Sequence, residues 1–253
     1  MLEIHPSAQV SPRAKLHADV EIGPLCVVGD DVEIGRGTRL IASCVVLGHC
    51  RIGEGNIIFP YAVIGAEPQD RSHEGEVTSL VIGDRNVFRE HVTVHRGTLK
   101  EEGTTRVGSD CLLMVGTHVA HDAVIGDAVT LANGTMLAGH VKVESRVTTG
   151  GRAAVAPFVR LGEGSFIAAG AMVEIDVPPF TIVAGDRARV RALNRVGLRR
   201  QGVPDVSRRA LGRAFRVLFG NSAPRSESLR AVQTELAHDP YVSKLVTFLS
   251  RSS

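Results

Sequence analysis

The stretch from Leu112 to Asp127, LLMVGTHVAHDAVIGD, sets three polar groups, His118, His121 and Asp122, among small and aliphatic residues. His140 stands 18 residues beyond Asp122. Clustered histidines either carry out acid–base chemistry or bind a metal. A zinc site asks for about three neutral ligands converging on one point. Here His121 has a carboxylate beside it, and no cysteine is expected outside the core, so acid–base chemistry fits better and no metal is expected. A group of surface histidines without chemistry is the remaining alternative.

These residues are embedded in a repeat of six. Steps of six from Ile4 meet Val10, Leu16, Ile22, Val28, Ile34, Leu40, Val46, Ile52, Ile58 and Ile64, every one aliphatic. The register resumes at Ile82, Phe88 and Val94, then runs from Val107 to Val173 with Thr149 as the sole polar member. Four places after each slot the residue is usually small or branched, as at Ala8, Val20, Thr117 and Ala123. A helix repeats at 3.6 and an amphipathic strand at 2, so a sustained six predicts a parallel β-helix. Each hexad is a short strand and a corner, and stacked coils bury what one coil cannot. Cys26, Cys44, Cys50 and Cys111 all fall in the small inward slot, which assigns them to packing rather than redox or metal chemistry.

The composition agrees with a narrow core: 27 Gly, two Tyr and no Trp leave little to fill a wide one. A net charge of +2 gives no electrostatic case for nucleic acid. The N-terminal MLEIHPSAQV lacks a signal pattern, and no apolar run reaches the roughly 20 residues of a membrane span, so a cytoplasmic protein without stable membrane insertion is expected.

Two segments leave the repeat, at about 66–80 and 96–105, and loops expelled from a rigid solenoid are natural sites of function. Beyond Pro178 the repeat ends. The chain therefore divides into a solenoid over 1–185 and a small α-helical domain over 186–253. Helices are expected from a cap at Asp205, over Ser226 to His238, and after Asp239-Pro240. This tail would cap the open end of the solenoid, whose unpaired strands invite association. Between the two lie Arg187, Arg189, Arg191, Arg195, Arg199 and Arg200, a candidate anion-binding surface.

The register also gives directions. His118, His121, Asp122 and His140 occupy no inward slot, so they should project from the outside of the solenoid. If three hexads make a coil, Asp122 and His140 stack at the strand spacing of about 4.8 Å.

The chain resembles the UDP-N-acetylglucosamine O-acyltransferases that begin lipid A synthesis. The resemblance rests on PQD at 68–70, IGDRNVFREHVTVHRGT at 82–98, VGSDCLLM at 107–114, HVAHD at 118–122, LAGHV at 137–141 and DVPPF at 176–180. It implies a left-handed β-helix, a homotrimer with sites between subunits, and acyl transfer from acyl carrier protein to a sugar 3-hydroxyl. His121 would be the general base, Asp122 its orienting partner, and Gly139 the backbone donor to the oxyanion. Gln69, Asp70, His95, His118 and His140 would line the nucleotide-sugar site. Asn194, Arg199 and Arg200 would hold the acyl donor, and Ala169 would end the acyl groove. The phosphopantetheine thioester of the carrier is a co-substrate, and no cofactor is implied.

The departures from the family pattern concern recognition. Ser72 stands where the family has a lysine, Ala156-Pro157-Phe158 replaces its HQF, Val196 replaces a glutamate, and the often-glycine ruler position is Ala169. Alternatives are therefore a paralogue acting on another nucleotide sugar or an amine, a metal-dependent hydratase on the same scaffold, and a catalytically silent trimeric binding protein.

Overall fold

The computed structural model describes residues 2–220 and 223–251. Within them the six-residue period becomes 28 short strands, most of only two residues. Successive strands pass in turn to three sheets of 11, 9 and 8 strands, and the chain winds as a left-handed parallel β-helix. Lateral partners are 18 residues apart, as Ile4 with Ile22 and Val10 with Val28. The offset rises to 30 across the first insert, where Ile58 meets Phe88, and to 25 across the second, where Phe88 meets Leu113. It returns to 18 at Leu113 with Leu131. The strand-free parts of the inserts run over 67–78 and 96–103.

From Ile22 onward the slots predicted to face inward are buried, whereas Ile4 in the open first coil is exposed and Val10 and Leu16 are half-buried. Ile34, Ile58, Leu113, Ile125 and Leu131 are fully buried in one continuous core. All four cysteines are free and buried, and burial pushes the Cys50 thiol up to about 12 and that of Cys111 to about 11. Two small slots hold asparagines instead. Asn56 Oδ1 accepts from the Asn86 N–H at 2.9 Å, and Asn86 Oδ1 accepts from the Cys111 N–H at 2.8 Å. Their amide groups donate to the Gly83 and Gly108 carbonyls at 3.0 and 2.9 Å. This buried ladder joins the coils on either side of both inserts, where the 18-residue register is interrupted.

The three outer faces differ. On the third sheet the outward positions include Lys15, Glu33, Arg51, Arg106, Lys142 and Arg160. On the second they include Val27, Val45, Val63, Thr93, His118, Met136, Ala154 and Met172. Midway along the first lie Ile57, Val87 and Leu112. One face is charged and two carry apolar stripes.

At the far end a hairpin of Thr181–Ala184 with Arg189–Leu193 turns the sheet antiparallel. Four helices follow: α1 (Arg195–Arg200), α2 (Asp205–Gly220), α3 (Arg225–Leu236) and α4 (Pro240–Arg251). They enclose a second core around Phe180, Leu198, Leu211, Val232, Val242 and Leu245. Helix α1 falls within the arginine run, which the sequence pattern did not identify as helical. Asp205 does not cap α2 from outside but is its first residue, paired with Arg208. Asp239 is a true cap, accepting from the Tyr241 and Val242 N–H groups at 3.0 and 3.1 Å. Lys244 pairs with Glu163, and the Arg160 guanidinium lies over Phe248, which docks α4 on the last coils.

Replacing Asn86 by Ala leaves the buried Cys111 N–H and Gly108 carbonyl without partners, so the folded state should lose about 2–4 kcal/mol. A urea titration read by circular dichroism measures this directly.

Candidate active site

The second sheet hands over to the third at a corner where Asp122, His140 and Phe158 stack, all with left-handed φ of 59°, 64° and 66°. His121 precedes this corner. Its Nδ1–H donates to Asp122 Oδ2 at 2.9 Å, which leaves Nε2 as the nitrogen able to take a proton. Asp122 is held from several sides. Oδ1 accepts from the Thr98 N–H at 2.8 Å and Oδ2 from the Thr98 hydroxyl at 2.6 Å. The Asp122 N–H donates to Thr105 Oγ1 at 2.8 Å. One end of the second insert thus grips the carboxylate that orients the imidazole, and the other end holds the Asp122 backbone.

Gly139 passes directly over the His121 ring. A Cβ there would sit 2.6 Å from Cε1 and 2.9 Å from Nε2, so only glycine admits the ring in this position. Among the described residues the Gly139 N–H has no protein acceptor. A free backbone donor therefore lies beside the free ring nitrogen.

The other histidines form two edge-to-face contacts, His121 with His140 at 5.1 Å and His95 with His118 at 5.2 Å between ring centroids. His140 Nε2 lies 3.8 Å from Asp122 Oδ2, its Nδ1 lies 3.4 Å from Glu101, and its ring stacks on Phe158 at 4.5 Å. His95 Nδ1–H donates to the Glu67 carbonyl at 2.6 Å, and His118 Nδ1 shares a hydrogen bond with Thr93 Oγ1 at 2.7 Å. Burial lowers the pKa of both His95 and His118, so near neutral pH these rings are uncharged.

These side chains leave the barrel, as their register requires, but they do not simply project into solvent. His95, Asp122 and His140 are buried, because the two inserts fold back over them. Asp70 in the first insert accepts from the Ser72 N–H and hydroxyl, both at 2.9 Å, and from Lys100 Nζ at 2.5 Å. The Lys100 ammonium, with Ser72, holds the Asp70 carboxyl well below the usual carboxylate range. Gln69 is exposed next to it. Thr98, Lys100, Glu101, Thr105 and Phe158 were not singled out from sequence. Thr98 lies in VHRGT and Phe158 in Ala156-Pro157-Phe158, but neither was given a role, and nothing in the hexad pattern says where an insert will fold.

Asn194, Val196 and Arg200 lie elsewhere. With Thr148, Phe166, Ile182 and Gln201 they line a cleft of about 570 Å³ on the first face. Asn194 is committed locally: its Oδ1 accepts from the Gly197 N–H and its amide donates to the Gly164 carbonyl, both at 3.0 Å. Arg199 is exposed at the end of α1. Among the described residues no contact joins this cleft to the histidines. Ala169 is exposed at the corner between the first and second faces. It tops the ladder from Val115 through Gly134, Asn133, Arg152, Gly151 and Gly170, about 14 Å along the axis at three coil spacings.

Donor atoms of His121, Asp122 and His140 lie within 4.8 Å of one another, a spacing a metal could bridge. Both Asp122 oxygens, however, already accept hydrogen bonds from Thr98 and His121. The arrangement can hold a base with a fixed tautomer, an oxyanion donor beside it and a polar pocket covered by two inserts.

Known proteins resemble this chain along its whole length. Residues 104–139 match the bacterial transferase hexapeptide family, and residues 176–253 match the family described as UDP-N-acetylglucosamine O-acyltransferase, domain 2. An acyl-[acyl-carrier-protein]–UDP-N-acetylglucosamine O-acyltransferase from Myxococcus xanthus is 44% identical over 252 residues, covering 100% of this chain and 98% of its own. Its counterpart from Thermodesulfovibrio yellowstonii is 41% identical over 249 residues, covering 98% and 96%. The crystal structure of a UDP-N-acetylglucosamine acyltransferase from Bacteroides fragilis superposes with a TM-score of 0.96 at 36% identity, covering 99% of this chain and 98% of that one. Identity of this degree along the whole chain, with the same solenoid and helical tail, makes this protein a member of the UDP-N-acetylglucosamine O-acyltransferase family.

Proposed function

We propose that the protein transfers a 3-hydroxyacyl group from acyl carrier protein to the 3-hydroxyl of UDP-N-acetylglucosamine, the first step of lipid A synthesis, in the cytoplasm. The observation that carries this reading is the His121–Asp122 pair, with Nε2 free beside the unpaired Gly139 N–H. His121 Nε2 takes the hydroxyl proton as the sugar oxygen attacks the thioester carbonyl. The Gly139 N–H donates to the tetrahedral oxyanion, which needs a donor already in place. Collapse breaks the C–S bond, and the imidazolium returns its proton to the departing thiolate. Asp70, Gln69, His95, His118 and His140 surround the sugar nucleotide.

The outward ladder of His118, Met136, Ala154 and Met172 is an apolar track from the base toward the coil of Ala169, suited to an acyl chain. The donor cleft of Asn194 and Arg200 lies away from the base in a single chain. With apolar stripes on two faces and charge on the third, we infer a homotrimer in which a neighbour's cleft meets each histidine cluster. The carrier protein is acidic in this reading and docks on α2, where Arg208, Arg209, Arg213 and Arg216 with Arg195 line a cleft of about 680 Å³.

A second reading, a divalent metal on His121, Asp122 and His140, is favoured only by the closeness of their donor atoms. Elemental analysis of active protein separates the two, since a metal-free active sample ends it.

The function is tested with acyl carrier proteins of increasing chain length and UDP-N-acetylglucosamine as acceptor. Transfer is expected, and His121→Ala should lower turnover by about a hundred- to ten-thousandfold. Absence of transfer with every chain length refutes the assignment. Gly139→Ala drives a methyl into the imidazole, and misplacing the base should cost about a hundredfold in turnover while His121 remains present. Arg213→Glu should raise KM for the carrier protein by about tenfold at low ionic strength, with the difference shrinking as salt is added.

A further inference from the structure

We propose that Lys100 is the residue that receives the acceptor's diphosphate, held in position by Asp70. The inference rests on the acyltransferase reading and adds to it a charged partner from the same chain as the histidines. The rim of the histidine pocket is rich in carboxylates: Glu101 facing His140, Asp70 and Asp122, with the exposed Glu67 carboxylate nearby, beside Arg96. A diphosphate brought there meets repulsion unless a cation stands with them.

The candidate cations are unequally placed. Arg96 is turned inward, its guanidinium packed against Gly48 and near Glu67, with only 11% of the side chain exposed. Arg106 is paired with Glu102 outside the pocket. Arg71 is exposed and, among the described residues, has no partner to fix it. Lys100 is both fixed and open. Its ammonium bonds Asp70 Oδ2 at 2.5 Å while about half of its side chain remains exposed. An ammonium has three donors, and Asp70 uses one. The Asp70 carboxylate is meanwhile satisfied by the Ser72 N–H and hydroxyl, so it anchors the lysine without competing for a ligand.

Its place on the chain puts Lys100 at the mouth of the site. Two residues before it, Thr98 grips Asp122, and the next residue, Glu101, lies 3.4 Å from His140 Nδ1. Pre-ordering a long flexible side chain in this way lowers the entropy lost when an anion binds. Ser72, by contrast, is turned to Asp70 and brings no charge.

The test combines kinetics with UDP binding by calorimetry, on Lys100→Met and on Lys100→Met with Ser72→Lys. Loss of one charge-assisted contact should raise KM for the nucleotide sugar and Kd for UDP together by about 10- to 100-fold, with kcat within about twofold. The added lysine at position 72, on the far side of the same carboxylate, should recover part of both. Unchanged UDP affinity in Lys100→Met would overturn the proposal and leave Lys100 as a tie between inserts. A fall in kcat alone, or in thermal stability with UDP affinity retained, would overturn it equally. If the wild-type protein itself shows no saturable UDP binding, the acyltransferase assignment fails, and that result is distinct from an unaffected variant.

Discussion

The solenoid of this protein depends on one constraint: a side chain's lateral neighbour is set by the number of residues in a coil. With 18 residues per turn, Ile4 meets Ile22 and Asp122 meets His140, because both pairs are one coil apart. The core is a column of such meetings, and the site is another column on the outside. The core column needs no long-range element to dock correctly, whereas the site column is completed by the inserts. The price is rigidity of register, since one residue gained or lost would turn the inward slots outward.

The chain escapes that constraint at two places, and chemistry is concentrated there. The inserts add residues without disturbing the slots that follow, as the return to an offset of 18 shows. The asparagine ladder bonds across the altered offsets, at 30 and 25 residues, where the repeat alone supplies no matching corner. Outside, the same inserts supply Thr98, Thr105, Asp70 and Lys100. The solenoid provides position for His121 and Gly139, while the inserts provide orientation and cover. The proposed mechanism needs both, because a base acts well only when its tautomer and direction are settled before the substrate arrives.

How much of this the sequence disclosed follows the same division. The core register, the buried cysteines and the stacking of Asp122 with His140 came directly from the period of six, because each depends on local spacing alone. The family resemblance pointed to His121, Asp122 and Gly139, and the structure supplies a steric reason for the glycine that no spacing could reveal. The burial of His95, Asp122 and His140 was not legible, since the register says only that they leave the barrel. What covers them comes from polar segments with no periodicity, whose path is set by a few specific bonds. Helix α1 was missed for a related reason: six residues, three of them arginine, carry too little apolar pattern to be read as helical.

The grip of Thr98 and Thr105 on Asp122 has a further consequence. Stability of the fold lies in the stacked coils, whereas readiness of the base lies in a short exposed loop anchored at its two ends. A cleavage within that loop, or a shift of Thr98, would free the carboxylate while the solenoid stayed wound. Integrity and competence are therefore separate properties of this molecule, and a sample can be fully folded by every bulk measure yet hold its histidine unaimed.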